Sequence, residues 1–200
     1  NLTKITMKLG HSPDADDAFM FYGMASGKVS SDKIDFIHII EDIQTLNGRA
    51  LRGALEVTAV SAHAYLQIQD KYRILSCGAS MGEGYGPIVV AKRYLNELKE
   101  KKIGIPGKLT TAYLLLSIYA DGFIPVEMPF DEIMGAVGED KVEAGLIIHE
   151  GQLTYRSFGL QSVLDLGEMW AKSTSLPLPL GINVVRRDID GELQREILRV

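Results

Sequence analysis

Residues 142–155 read VEAGLIIHEGQLTY, a stretch that leaves a charged surface, enters an unbroken apolar run and stops at a histidine. Ala144, Gly145, Leu146, Ile147 and Ile148 are consecutive small or apolar residues, the pattern of a short strand buried on both faces of a parallel sheet. His149 falls at the carboxyl end of that strand, and Glu150, Gly151 and Gln152 turn the chain into its next element. In open α/β sheets ligands bind beyond the carboxyl ends of the strands, and imidazole changes charge near neutral pH and serves as acid or base. The stretch therefore predicts an α/β fold and marks His149 as a candidate general base. For a histidine taken alone, a buried side chain satisfied by backbone groups is the competing reading.

The rest of the chain repeats that rhythm. Apolar runs predict strands at 5–9, 34–40, 57–61, 88–91, 102–105, 126–129, 144–148, 163–164 and 181–186. Helical spacing predicts helices at 18–24, 42–52, 65–69, 94–101, 110–119, 131–138, 166–173 and 192–200. Residues 77–87 hold four glycines and read as a loop opened by a short strand at Ile74 and Leu75. They match neither the dinucleotide fingerprint nor the P-loop, so no cofactor is expected. Leu176 to Leu180, with prolines at 177 and 179, reads as a stiff extended crossing, because the residue before a proline avoids the helical region.

Alternating strands and helices predict parallel sheets with helices on both faces. The runs at 87–91 and 177–185 look like paired crossings, which gives a two-lobed α/β fold with a ligand cleft between the lobes. Residues 1–91, rejoined by 176–200, would form the first lobe, and residues 92–175 the second.

Composition removes whole classes of function. The chain has 200 residues, 46% hydrophobic and 24% charged, which describes a soluble globular protein rather than a disordered one. A net charge of −5 argues against a nucleic-acid surface, and Lys99, Lys101 and Lys102 are interspersed with Glu97 and Glu100. Cys77 is the single cysteine, so an internal disulfide and a cysteine-based metal site are excluded. No run approaches the ~18 apolar residues of a membrane span, and the opening residues lack the apolar core of a signal peptide. The expectation is a cytoplasmic protein without membrane, nucleic-acid or metal partners; its oligomeric state is left open.

Three further strand ends carry candidate binding residues. His11 and Ser12 follow the first strand, where Ser12 or Asp14 can also cap the next helix, and acids in its first turn suit the helix dipole. Ser61 ends the third strand. Thr110 and Thr111 follow a Pro-Gly turn at a helix start, an arrangement that offers hydroxyls and amides to a carboxylate or phosphate.

The segments HSPDADDAFMFYGM, EDIQTLN, GPIVVA, IPGKLTTAYLL, VEAGLIIHEGQLTY and LPLPLG, in that order, resemble the 1,4-dihydroxy-6-naphthoate synthases of the futalosine route to menaquinone. The resemblance runs across nearly the whole chain and implies a periplasmic-binding-protein-like (type 2) fold recruited as a cytoplasmic lyase. It implies a small aromatic carboxylate substrate, cyclic dehypoxanthine futalosine, from which the naphthoate is released. It implies His149 as the base, and substrate contacts from Thr110, Thr111 and the segment Ala59, Val60 and Ser61. The family commonly carries SPCPND where Asp14, Ala15 and Asp16 stand here, and a lysine where Ala59 stands, so Ala59 and Val60 carry over through their backbone only. Family members also continue past Val200, which reads as a truncation. A transport solute-binding protein and chorismate dehydratase share the fold and remain alternatives at this level.

Overall fold

The computed structural model describes residues 3–200. Its contacts divide the chain into two units, one formed by the residues up to Ser80 with Gly181–Val200, the other by Met81–Leu180. In chain order the first unit holds β1 (Ile5–His11), α1 (Ala15–Ala25), β2 (Ile34–Ile40), α2 (Ile43–Leu51), β3 (Val57–Ser61), α3 (Ala62–Tyr65) and most of β4 (Tyr72–Gly82). The second holds β5 (Ile88–Ala91), β6 (Lys102–Ile105), α4 (Thr111–Tyr119), β7 (Ile124–Glu127), α5 (Ile133–Gly138), β8 (Ala144–Ile147), α6 (Gly151–Thr154), β9 (Gln161–Asp165) and α7 (Leu166–Thr174). β10 (Leu178–Arg186) leads back to the first unit, followed by α8 (Gly191–Arg199). The sequence places the lobe limits after residues 91 and 175, whereas the units divide after Ser80 and Leu180; β5 joins the second unit through its pairing with β8 and β9.

Helix starts follow from side-chain chemistry. Asp14, Asp42, Thr110, Asp165 and Asp190 each accept an N–H from the first turn of the helix they precede, which satisfies a donor with no partner inside the helix. Among the described residues the strands form two five-stranded sheets, ordered β2-β1-β3-β10-β4 and β7-β6-β8-β5-β9. In each sheet the first parallel strand, β1 or β6, sits between the next two parallel strands of its unit. Strand order therefore reverses beside β1 in one sheet and beside β6 in the other.

The sheets are mixed, not wholly parallel. β10 runs antiparallel to β3, and β5 runs antiparallel to β8 and β9. Parallel pairing follows from a helical crossover between strands, and neither β5 nor β10 enters its sheet after such a crossover from its pairing partner.

The second sheet is covered on both sides. Val89, Ile103, Ile105 and Leu146 pack with Leu115 and Leu116 of α4 and with Leu166, while Ile88, Val90 and Ile147 pack with Ile133 and Val137 of α5. That two-sided burial explains why β5 and β8 are continuous apolar runs. In the first unit, Met7, Leu9, Val57 and Val185 cluster with Phe21 of α1 and Ile197 of α8, and Val60 and Val184 cluster with Ala50 of α2, Ile68 and Tyr72.

Three local expectations fail for physical reasons. Residues 94–101 form bends and turns instead of a helix: the Glu100 amide donates to Gly122 O at 2.8 Å, and Glu100 itself adopts φ 61°. The glycine-rich run is strand as far as Gly82, not loop. Gly78 is required there by close approach, since a Cβ would lie 2.2 Å from Asn183 Nδ2, and its φ of +70° suits glycine. The helix expected at 65–69 is displaced upstream, as α3 begins directly after Ser61.

Candidate functional site

β1 delivers His11 to the carboxyl end of the first sheet, and β3 delivers Ser61 to the same end of a parallel neighbour. The pair flanks the point where strand order reverses, the position at which open α/β sheets bind ligands. His11 is 4% exposed, stacks on Phe21 with ring centroids 4.7 Å apart, and meets His38 Nδ1 through its Nε2 at 2.9 Å. Burial pushes the His11 imidazole below its ordinary value, against the opposing pull of the Ser12 carbonyl and Asp14. Burial, followed by the neighbouring His11, lowers His38 as well. Ser12 is buried, its amide donating to Asp17 Oδ2 at 2.6 Å. Asp14 is the residue that caps α1, through the Asp17 amide at 2.9 Å. Asp14 thus serves as the helix cap, and Asp17 of the first turn of α1 closes the loop back onto Ser12.

Ala59 and Val60 are buried within β3, in register with Asn183 and Ile182 of β10. Ser61 lies at the strand end, held by Asn47 of α2. Its amide donates to Asn47 Oδ1 at 2.8 Å, and Asn47 Nδ2 donates to Ser61 Oγ at 2.9 Å.

The second sheet repeats this plan. β6 leads through the turn at Gly107 to Thr110 and Thr111, and its parallel neighbour β8 leads to His149, so both groups lie at carboxyl ends flanking the reversal of strand order. Thr110 caps α4: its hydroxyl accepts the Tyr113 amide at 3.2 Å and donates to Gly107 O at 2.7 Å. Thr111 Oγ1 donates to Leu180 O at 2.9 Å. Both threonine protons therefore go to main-chain carbonyls.

His149 lies two residues beyond β8, half-buried, its ring T-shaped to that of Phe130 at a centroid distance of 5.1 Å and an interplanar angle of 81°. Its φ is 57°, in the left-handed region, and its carbonyl accepts the Gln152 amide at 3.2 Å. Residues other than glycine enter that region at a cost of about 1–3 kcal/mol, and such outliers gather at functional sites. Histidine, asparagine and aspartate tolerate it best.

Sequence reading missed Asn47 and His38. The only local signals are the place of His38 among isoleucines in β2 and of Asn47 beside Leu46 on α2. Their partners, Ser61 and His11, are 14 and 27 residues away in the chain. Among the described residues no group of histidine, cysteine, aspartate or glutamate has the arrangement of a metal site. No described helix is long and apolar enough to cross a membrane.

A family model described as menaquinone biosynthesis matches residues 7–200. The chain belongs to that family. It is 46% identical to the 1,4-dihydroxy-6-naphthoate synthase of Thermus thermophilus over 191 residues, 96% of this chain and 70% of the relative. It is 38% identical to the enzyme of the same name from Streptomyces coelicolor, over 92% of this chain and 67% of the relative. A solved structure of a protein from Archaeoglobus fulgidus shares 55% identity and a TM-score of 0.93, covering 97% of this chain and 73% of its own. The ligand-binding component of an ABC-type import system from Staphylococcus aureus shares the fold alone, at 14% identity and a TM-score of 0.72, over 97% of this chain and 70% of its own. The fold is thus that of periplasmic binding proteins, in a member of a menaquinone-biosynthesis family whose curated relatives are enzymes.

Proposed function

We propose that the chain carries out the reaction named for its relatives, as a lyase that converts cyclic dehypoxanthine futalosine to 1,4-dihydroxy-6-naphthoate. The observation that carries the catalytic part is His149, placed at the strand-order reversal of its sheet and held in left-handed backbone two residues beyond a buried strand. A histidine held in left-handed backbone is the kind of outlier that gathers at functional sites, and this supports His149 as the reacting group. His149 acts as the general base: it takes a proton from the substrate and so begins the eliminations that free the aromatic product from its sugar-derived part.

Substrate contacts come from the main chain at Thr110 and Thr111, the Ser61 hydroxyl, and the backbone of Ala59 and Val60, with His11 and Ser12 shaping the first unit's strand end. A substrate carboxylate suits these groups, since it only accepts hydrogen bonds and they donate. On this reading the protein works in the cytoplasm. The test is to incubate the protein with cyclic dehypoxanthine futalosine and follow the naphthoate chromophore. Product formation is expected; binding without product, or dehydration of chorismate instead, overturns the assignment.

A further inference from the structure

Asn47 is fully buried on α2, and both polar atoms of its side chain are directed at Ser61. The Ser61 main-chain amide can only donate, so the oxygen of Asn47 must face it and the NH₂ must face Ser61 Oγ. The orientation of this amide is therefore dictated by its partners. A hydroxyl that accepts from Nδ2 keeps its single proton for some other acceptor, because Asn47 presents no lone pair on that side. The proton is not used to cap α3 either: Ser61 precedes that helix without a side-chain cap bond.

The support behind Asn47 is stiff. Asp42 caps α2 through the Thr45 amide at 3.1 Å, and Arg49 on the same helix grips Glu41 through two contacts of 2.6 and 2.5 Å. Leu46 and Ala50 bury the same side of the helix, and Leu46 packs with Leu55 and Ala59. An amide placed in such apolar surroundings is costly unless its bonds are made, and Ser61 supplies both.

We propose that Asn47 is a positioning residue that fixes Ser61 as a hydrogen-bond donor, and that the acceptor is the carboxylate of the substrate. The inference rests on the substrate reading above. It predicts that reversing the polarity of the Asn47–Ser61 bond weakens substrate capture while leaving the chemical step largely intact.

Asn47→Asp is the reversing change. The new carboxylate is close to isosteric and still accepts the Ser61 amide, but its second oxygen takes the Ser61 proton and turns the hydroxyl inward. When protonated, the same carboxyl donates to Ser61 and restores the original direction; burial raises the pH at which this happens. The measurement is KM for cyclic dehypoxanthine futalosine, variant relative to wild type, from about pH 5 to about pH 8, a range that brackets a raised carboxyl pKa. The ratio is expected to be roughly tenfold or more at the alkaline end, the loss of one hydrogen bond to a charged group, and to fall toward one at the acid end. The kcat ratio should move less. In a Ser61→Ala background Asn47→Asp should change KM little at any pH.

A ratio that ignores pH, or a folded Asn47→Asp protein with wild-type KM throughout, overturns the proposal. If Asn47→Asp does not fold by its melting curve, Asn47→Ala replaces it, with a KM close to that of Ser61→Ala expected and a wild-type KM decisive against. A wild-type protein that makes no naphthoate instead sinks the substrate reading, and the carboxylate with it, before any variant is compared.

Discussion

Each sheet presents a histidine at a strand end beside its reversal of strand order, His11 after the first strand of its unit and His149 after the parallel neighbour of its first strand, yet the two are treated in opposite ways. His11 ends β1 inside the first unit, almost wholly buried, stacked on Phe21 and bonded to His38. His149 follows β8 in the second unit, half-buried, in a left-handed conformation with its ring T-shaped to Phe130. The hydroxyls differ in the same sense. Ser61 accepts from Asn47 and keeps its proton, whereas Thr110 and Thr111 give theirs to Gly107 and Leu180 carbonyls. The same strand plan thus yields a packed imidazole beside a preset hydroxyl donor in one unit, and an accessible imidazole beside a capped helix start in the other. Position at a strand end brings a polar group to the end of the sheet; burial and partners set the state in which it stands there.

The largest expected effect separates the two histidines directly. Asparagine tolerates the left-handed region about as well as histidine does, so His149→Asn should keep the fold while losing the proton acceptor. Turnover should drop by about a hundredfold to ten-thousandfold, the usual contribution of a positioned general base. Measured on one preparation, a normal melting temperature with lost turnover supports the contrast; a stable variant with normal turnover removes His149 from the mechanism.

A smaller effect contrasts the hydroxyls. Ser61→Ala removes a preset donor and should raise KM by roughly tenfold, as expected for one hydrogen bond to a charged group. Thr111→Val removes a hydroxyl whose proton is already held by Leu180, so it should cost about 1 kcal/mol of stability with a smaller change in KM. Steady-state kinetics with thermal unfolding on both variants checks the ranking, and a larger KM effect at Thr111 reverses it.

The smallest effect concerns pH and stability in the first unit. Burial lowers both His11 and His38 from the ordinary 6.5, so the unfolded chain takes up protons near that value while the folded pair resists. Stability from this pair is complete above about pH 6.5 and is lost as pH falls from there toward the lowered folded values. Melting temperatures from pH 8 to pH 5 should therefore decline less steeply in His38→Gln than in wild type, since one group of the pair no longer titrates. Parallel declines would show that the pair carries no pH-linked stability.

Much of this was legible in the chain. Apolar runs marked β2, β3, β5, β6 and β8, and a capping residue was legible before α1 at Asp14 and before α4 at Thr110. These signals are local, since a cap or a buried run is written within a few residues. His149 was legible for the same reason: the strand that carries it and the turn that follows are contiguous. The glycines of 77–87 misled because their meaning depends on Asn183, more than a hundred positions later, and the charged run at 94–101 misled because its backbone bonds go to the Gly122 turn.

By itself, then, the sequence determined the alternation of strands and helices, the ends at which candidate residues cluster, and the family to which its motifs point. Only the tertiary structure decided that β5 and β10 run antiparallel to their neighbours, that both sheets share one strand order without any sequence repeat, and that Asn47 and His38 hold the residues named from the sequence. Strand direction and side-chain partnership are set by which segments meet in space. A hydrogen bond between residues 47 and 61, or 11 and 38, leaves no periodic trace in the chain that makes it.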